Sequence, residues 1–226
     1  MNANLHTTRA HIAAMGTLLF NRHLLDLAGG NISVRVGEQV CITPRYSGPK
    51  HHWHLTPEDV MVVTFDGEIL EGAGELSRES KVHLRLHRDF RAHGTAVVHA
   101  HPRHVMVFAA LAREIPPVLE ATRKFGTVPV IDYASAHSLE LSEHVASGIG
   151  AQTSRITSHA AAVIAPYHGI FCMGKDLDWT SDAVERIDTN CFALLMGAQL
   201  GASPAFERER AAMETVIGAF HDHGGE

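Results

Sequence analysis

Hydrophobic side chains recur at two different spacings along the chain. The opening segment, residues 7–27, places Ile12, Met15 and Leu19 three or four positions apart, which predicts an amphipathic helix. Gly29 and Gly30 interrupt this pattern and end the predicted helix. Helical spacing recurs in five later segments, which are Ser77 toward Gly94, 102–113, 138–150, 178–200 and 205–220.

Apolar runs and alternating segments between these helices predict β-strands. In residues 31–37, "NISVRVG", every second side chain is apolar and shares one face. Residues 59–72 predict a hairpin around an Asp66-Gly67 turn. The alternation of helices with short hairpins predicts one α/β domain over residues 1–226, with a mixed, largely antiparallel central sheet. The other predicted strands are 39–44, 95–101, 127–133 and the apolar runs on either side of 166–169.

The composition argues against several classes of function. The chain has 226 residues, is 45% hydrophobic and carries a formal net charge of −6, without a basic run. Nucleic acid and anionic membranes are therefore not expected as partners, whereas a small anionic substrate remains open. The sequence shows no secretory signal pattern and no run of about 18 apolar residues, so a cytoplasmic protein is expected. Widely spaced cysteines are expected as buried thiols at Cys41, Cys172 and Cys191.

Residues 96–104, "AVVHAHPRH", contain a candidate metal site. Because residues i and i+2 of a strand share a face, His99 and His101 present two imidazoles side by side at the strand end. This arrangement suits two ligands of one Zn²⁺. His168 is the candidate third ligand, because a polar side chain between two apolar runs needs a partner. The alternatives are polar residues at a strand end and an ordinary turn histidine.

Two other groups of histidines compete with this assignment. His83 and His87 are four residues apart on a predicted helix, a spacing that also binds zinc, but the helix lacks the H-E-x-x-H pattern. Residues 51–54, "HHWH", fall in a predicted polar loop over residues 45–56. These loop histidines either line the mouth of the site or are solvated.

Glu79 is the candidate catalytic carboxylate. It lies in the first turn of the helix for which Ser77 is the predicted N-cap, where the helix dipole stabilises negative charge. That stabilisation alone could explain a glutamate here. The functional alternative is a general base beside the metal, which His83, one turn later, could orient.

Several segments in this order resemble the class II aldolase/adducin family, among them "GGNISVR", "LSRESKVHLRLHRDF", "AVVHAHPRHVMVFAAL" and "VIAPYHGIFCMG". The resemblance covers roughly residues 8–200, and within the family the chain is similar to fuculose-phosphate aldolases. It implies an αβα sandwich that assembles as a homotetramer, with active sites between neighbouring subunits. It also implies that His99, His101 and His168 bind the metal and that Glu79 is catalytic.

The resemblance further implies a pocket for the anionic group of the substrate, which this chain keeps in part. Arg78 stands where a second serine is common, and a guanidinium binds phosphate or carboxylate equally well through paired N–H groups. Glu120 lies where fuculose-type aldolases have a tyrosine donor. The candidate residues of the pocket are Gly30, Asn31, Thr43, Ser47, Gly48, Ser77 and Arg78.

The expected activity is that of a metal-dependent aldolase, which cleaves a ketose phosphate through a metal-stabilised enediolate. Zn²⁺ is the expected cofactor, with Mn²⁺ or Co²⁺ as alternatives. The same site could decarboxylate a 3-oxo or hydroxy acid, because loss of CO₂ leaves the same kind of enolate. It could also act as a sugar-phosphate 4-epimerase. A non-enzymatic scaffold is the remaining alternative, although adducin-like proteins usually lack the full metal set.

Overall fold

The computed structural model describes residues 3–222, in which all the named strands join one sheet of seven strands. The strands are β1 Asn31–Val36, β2 Gln39–Ile42, β3 Met61–Val63, β4 Ile69–Glu71, β5 Ala96–Ala100, β6 Ala160–Ala165 and β7 Gly169–Gly174. Their spatial order is β4-β3-β2-β1-β5-β7-β6, and each neighbouring pair is antiparallel. The predicted, largely antiparallel sheet is therefore confirmed.

Helices cover both faces of this sheet. On one face, α1, α4 and α7 pack against alternate strand residues such as Val98. On the other face, α3 and α5 pack against the intervening residues, such as Val97. This two-sided burial confirms the αβα sandwich. The helices are α1 Ala3–Asn21, α2 Ser47–His51, α3 Ser80–Asp89, α4 Arg103–Ala110, α5 Leu139–Gly150, α6 Thr153–Ser158, α7 Leu177–Leu200 and α8 Phe206–Asp222, with a 3₁₀ helix at Glu120–Phe125.

The prediction of a strand at residues 127–133 is wrong. In the described chain this segment forms only isolated bridges, antiparallel from Val128 to Ile115 and parallel from Val130 to Ile164. Pro129 has no N–H to donate, although its carbonyl oxygen accepts the N–H of Ile164 at 2.9 Å. The segment therefore runs beside β6 without continuing the sheet.

The loops around the later site also differ from the prediction. The polar loop at residues 45–56 contains α2, and the helix expected from Ser77 begins only at Ser80, with Glu79 at the N-cap position. The Ser77 hydroxyl instead accepts the backbone N–H of Glu79 at 3.2 Å, in the turn before α3. Ser77 thus shapes the approach to the helix without being its cap.

The cysteines are free and buried, as expected, at Cys41, Cys172 and Cys191. Burial raises the pKa of Cys41 to about 11, so this thiol stays protonated at neutral pH. Over residues 3–222, none of the helices has both the length and the apolar character needed to cross a bilayer.

A buried polar link joins α3 to the sheet. The Ser33 hydroxyl on β1 lies 2.7 Å from His83 Nδ1 and 2.8 Å from His87 Nε2. Burial lowers the pKa of His83 to about 3, and it lowers the pKa of His87 well below the usual value. Both imidazoles are therefore neutral in the folded protein at neutral pH.

These neutral histidines predict acid sensitivity. Because His83 titrates near 6.5 when unfolded and at about 3 when folded, the unfolded chain binds more protons between those values. Stability is consequently lost as the pH falls from about 6.5 toward 3, by up to about 1.4 kcal/mol per pH unit for one histidine. We expect His83→Gln to remove only the contribution of His83, so the variant should lose less stability than the wild type when metal-free protein is unfolded with denaturant between about pH 7 and pH 5.

His54→Gln is the matched control, because His54 is exposed in the loop before β3. Its stability should follow the wild-type pH dependence. If His83→Gln also runs parallel to the wild type, the proposed cost of protonating His83 is contradicted.

Candidate active site

The three candidate metal ligands meet at one end of the sheet. His99 and His101 lie at the end of β5, which pairs with β7 so that His99 faces Phe171. His168 lies in the turn just before β7 and therefore reaches the same end. Gly169 permits this turn, since its φ is 157° and a Cβ there would lie 2.6 Å from the Ala100 carbonyl oxygen.

The imidazoles of His99, His101 and His168 form one cluster. Each offers a ring nitrogen, and these atoms all lie within 4.8 Å of one another. Nε2 of His99 is 3.2 Å from Nε2 of His101. Two nitrogens on a tetrahedral zinc ion, with bonds of about 2.0–2.1 Å, are about 3.3 Å apart, so this pair fits one ion. The cluster could therefore hold a metal.

Other contacts direct these rings toward the centre of the cluster. Nδ1 of His99 donates to the Ile170 carbonyl oxygen at 3.0 Å, and Nδ1 of His101 lies 3.2 Å from a carboxylate oxygen of Asp26. Asp26 is itself fixed, because its backbone carbonyl oxygen accepts the Trp53 indole N–H at 2.8 Å. Such partners fix the tautomer and orientation of a ligating histidine. In His99 and His101, Nε2 is then the ring nitrogen that is available to a metal ion.

The electrostatics of the site also suit His99 and His168 as metal ligands. Burial, followed by the proximity of His101 and His168, holds the pKa of His99 well below its usual value. Burial, together with the nearby imidazoles of His101 and His137, lowers the pKa of His168 to about 4. Metal binding requires neutral imidazoles, so these rings need not release protons first at neutral pH. Among the described residues, the buried Nδ1 of His168 has no hydrogen-bond partner.

Glu79 lies beside this cluster. Its Oε1 is 3.6 Å from Nε2 of His168 and 2.8 Å from Nδ1 of His137, and it accepts the backbone N–H of His137 at 3.2 Å. Burial raises the pKa of Glu79, and the proximity of His137 and its backbone hydrogen bond oppose that shift. The hypothesis that His83 orients Glu79 is wrong, because the His83 ring is bonded to Ser33 instead.

A pocket of about 160 Å³ connects the cluster with most of the predicted anion-binding residues. Six of the seven line it, namely Gly30, Asn31, Ser47, Gly48, Ser77 and Arg78. Thr43 is not among the lining residues. Its side chain is buried, and its hydroxyl accepts the backbone N–H of Ile32 at 3.1 Å, so Thr43 supports the β1–β2 pair rather than the pocket wall.

Four residues of the site with polar side chains were missed by sequence analysis. Arg45, Tyr46 and His137 also line the pocket, and Asp26 holds His101 from outside it. The Arg45 guanidinium lies 4.4 Å from the centre of the Tyr46 ring. None of the four belongs to a recognisable local pattern, although Arg45 and Tyr46 lie directly between the predicted pocket residues Thr43 and Ser47.

The competing histidines do not belong to this pocket. His83 and His87 converge on Ser33, as described above, and the side chains of residues 51–54 are not among those that line the cavity. Trp53 of that segment is fully buried and supports Asp26. Glu120 is exposed at the start of the 3₁₀ helix and is likewise not among the lining residues.

Comparison with known proteins identifies the family of the chain. Residues 10–195 match the model of the class II aldolase and adducin N-terminal domain. The chain therefore belongs to the class II aldolase and adducin family.

Individual relatives fall among the sugar-phosphate aldolases. The chain is 30% identical over 201 residues to L-fuculose phosphate aldolase of Haemophilus influenzae, covering 86% of this chain and 85% of that protein. It is 31% identical over 163 residues to a protein of the same name from Methanococcus maripaludis, covering 71% and 81%. A solved structure of L-fuculose 1-phosphate aldolase matches with a TM-score of 0.75 at 22% identity, over 96% of this chain and 97% of that one. That last likeness supports the fold.

Proposed function

We propose that this protein is a metal-dependent aldolase, a carbon–carbon lyase that cleaves a ketose phosphate. The observation that carries the proposal is the position of Glu79, a buried carboxylate 3.6 Å from the His168 ring of a three-histidine cluster in one pocket. The relatives named L-fuculose phosphate aldolase support a sugar phosphate as the substrate class.

Each part of the pocket has a distinct task in this proposal. A divalent ion on His99, His101 and His168 supplies a Lewis acid that stabilises the negative charge left when the C–C bond breaks. Glu79 accepts the proton of the substrate hydroxyl whose oxygen becomes the aldehyde oxygen. After the C–C bond breaks, Glu79 returns a proton to the carbon atom that keeps the electron pair of that bond. Arg78, which also lines the pocket, holds the anionic group.

Three nitrogen ligands favour Zn²⁺, with Mn²⁺ or Co²⁺ as alternatives. We further propose that the protein is a cytoplasmic homotetramer with active sites between subunits. Large apolar side chains that are exposed toward the end of α7 and at the start of α8 support an assembly, and they include Phe192, Leu200 and Phe206.

Decarboxylation is the second candidate function, with 4-epimerisation of a sugar phosphate third. Arg45 and Arg78 both line the pocket, and either guanidinium suits a carboxylate as well as a phosphate. The chain is also 26% identical over 158 residues to L-ribulose-5-phosphate 4-epimerase UlaF of Salmonella paratyphi C, which supports the epimerase alternative.

One experiment separates these activities. Metal-loaded protein is incubated with a panel of ketose 1-phosphates, pentulose 5-phosphates and phosphorylated oxo acids. Aldehyde release supports the aldolase, CO₂ release supports the decarboxylase, and inversion at C4 without cleavage supports the epimerase. Absence of turnover across a panel that covers the stereoisomers would contradict the proposed function.

The first prediction of this model concerns the metal. His99→Ala, His101→Ala and His168→Ala should each lose the ion and abolish turnover without unfolding, because each removes one of three ligands. Asp26→Asn should keep the ion but weaken its binding about 10–100-fold, since the carboxylate only orients His101. Metal content after dialysis and competition with a chelator measure both effects, and circular dichroism checks folding.

His83→Ala is the matched control, because His83 is a buried histidine bonded to Ser33 instead of the cluster. It should retain most of its metal. Loss of the ion from this variant, together with its retention in His168→Ala, would show that the ligands are wrongly assigned.

The second prediction concerns the carboxylate. Glu79→Gln is nearly isosteric and removes the base, so kcat should fall by roughly 10²–10⁴-fold while metal content and substrate affinity persist. Steady-state kinetics and equilibrium binding test this. Glu140→Gln, an exposed substitution on α5, should leave kcat unchanged. A near-native kcat in Glu79→Gln would remove Glu79 from the mechanism.

The third prediction concerns Arg78. Arg78→Ser should raise KM roughly 10- to 100-fold and leave kcat largely intact, because a phosphate remote from the breaking bond is held equally in the ground and transition states. If the substrate instead loses CO₂ from a carboxylate held by Arg78, kcat should fall as well. Arg113→Ser, at an exposed position, is the control. Unchanged KM and kcat in Arg78→Ser would exclude both roles.

A further inference from the structure

His137 makes close contact with the proposed base from a different part of the chain. Its Nδ1 lies 2.8 Å from Oε1 of Glu79, an ion-pair distance without hydrogen-bond geometry, and its backbone N–H donates a hydrogen bond to the same oxygen at 3.2 Å. Two groups of one residue therefore meet one carboxylate oxygen. Within the described chain, the other oxygen of Glu79, Oε2, is buried without a hydrogen-bond partner.

The backbone at His137 is held in an unusual conformation. Its φ is 69°, in the left-handed region that residues with a Cβ seldom occupy. The next residue, Ser138, caps α5 by accepting the Leu141 N–H at 3.0 Å, which anchors one side of this turn. Non-glycine residues in such conformations concentrate at functional sites, where the surrounding structure maintains them.

Exposure separates the two partners. The Glu79 side chain is 6% exposed, whereas the His137 side chain is 40% exposed and lines the pocket. An imidazole with this much solvent contact is not needed to fill the core. Its placement against a buried carboxylate requires another explanation.

We propose that His137 is a positioning residue for Glu79, fixing Oε1 so that Oε2 exchanges the proton with the substrate. A carboxylate held at one oxygen cannot rotate freely, so its other oxygen has a defined direction. The unpartnered Oε2 is explained if a substrate hydroxyl donates to it, since a buried polar atom without a partner calls for such an explanation. This inference rests on the proposed function, in which Glu79 is the base.

Three substitutions test the idea. His137→Ala removes the ring but keeps the backbone N–H, and it should lower kcat about 10²-fold with little change in KM or metal content. His137→Asn should restore most of kcat, because its amide N–H can occupy the position of Nδ1 and asparagine tolerates a left-handed backbone. His137→Gly removes the ring without any backbone penalty and should behave as His137→Ala does.

His144→Ala controls for loosening of the preceding loop, because Nδ1 of His144 donates to the Asp132 carbonyl oxygen at 3.0 Å without touching Glu79. Its kcat should stay at the wild-type level. A near-native kcat in His137→Ala overturns the inference. An equal loss in His137→Ala, His137→Asn and His144→Ala also overturns it, because the loop alone would then explain the effect.

If the wild type turns over no substrate of the panel, the proposed function fails, but the positioning role of His137 can still be tested without turnover. Crystal structures of wild type and His137→Ala are then compared at the Glu79 carboxylate. A rotated carboxylate in the variant supports the positioning role. An unchanged carboxylate overturns it.

Discussion

Antiparallel pairing of β5 with both β1 and β7 brings the parts of the site together. His99 lies opposite Asn31 on β1 and opposite Phe171 on β7, and its ring stacks on Phe171 with centroids 4.1 Å apart. The pairing with β1 brings the Gly30-Asn31 turn to the pocket, and the pairing with β7 brings His168. A slip of one residue would turn His99 and His101 to the opposite face of the sheet. Because the buried faces of β5 specify its register, the core also specifies the geometry of the cluster.

Burial shifts the pKa values of several ionisable groups in the site. Three imidazoles within 4.8 Å of one another would repel if protonated, and the lowered pKa values of His99 and His168 show that the fold favours their neutral forms. Neutral ligands leave the full charge of a divalent ion available to an anionic intermediate. For Glu79, burial disfavours the charged carboxylate that the proposed base requires, and the neighbouring His137 offsets part of this rise in pKa. The site thus combines two imidazoles that burial keeps neutral, those of His99 and His168, with one buried carboxylate whose charge the neighbouring His137 supports.

Sequence analysis could identify the groups that local patterns encode. The i, i+2 spacing marked His99 and His101, and the apolar runs around residues 160–174 marked His168. It could not identify Asp26 or His137, because these residues are distant in sequence from the groups they contact and approach them only in the folded chain. The strand expected at 127–133 failed for a local reason, since Pro129 removes a ladder donor. Thr43, predicted as an anion-binding residue, lies outside the pocket lining for another reason, because its hydroxyl accepts the backbone N–H of Ile32.

The parts of the pocket also differ in how freely they can change. In the proposed function, aldol cleavage, decarboxylation and epimerisation would all develop negative charge at carbon or oxygen beside the same Lewis acid, so the histidine cluster and Glu79 would suit each of them. In the proposed function, these reactions differ in where the anionic group of the substrate is held. The residues that could hold this group are Arg45, Tyr46 and Arg78. They lie on turns at the edge of the pocket, whereas His99 lies in the core. Substitutions on turns disturb little packing, so this edge can redirect the chemistry without disturbing the cluster that performs it.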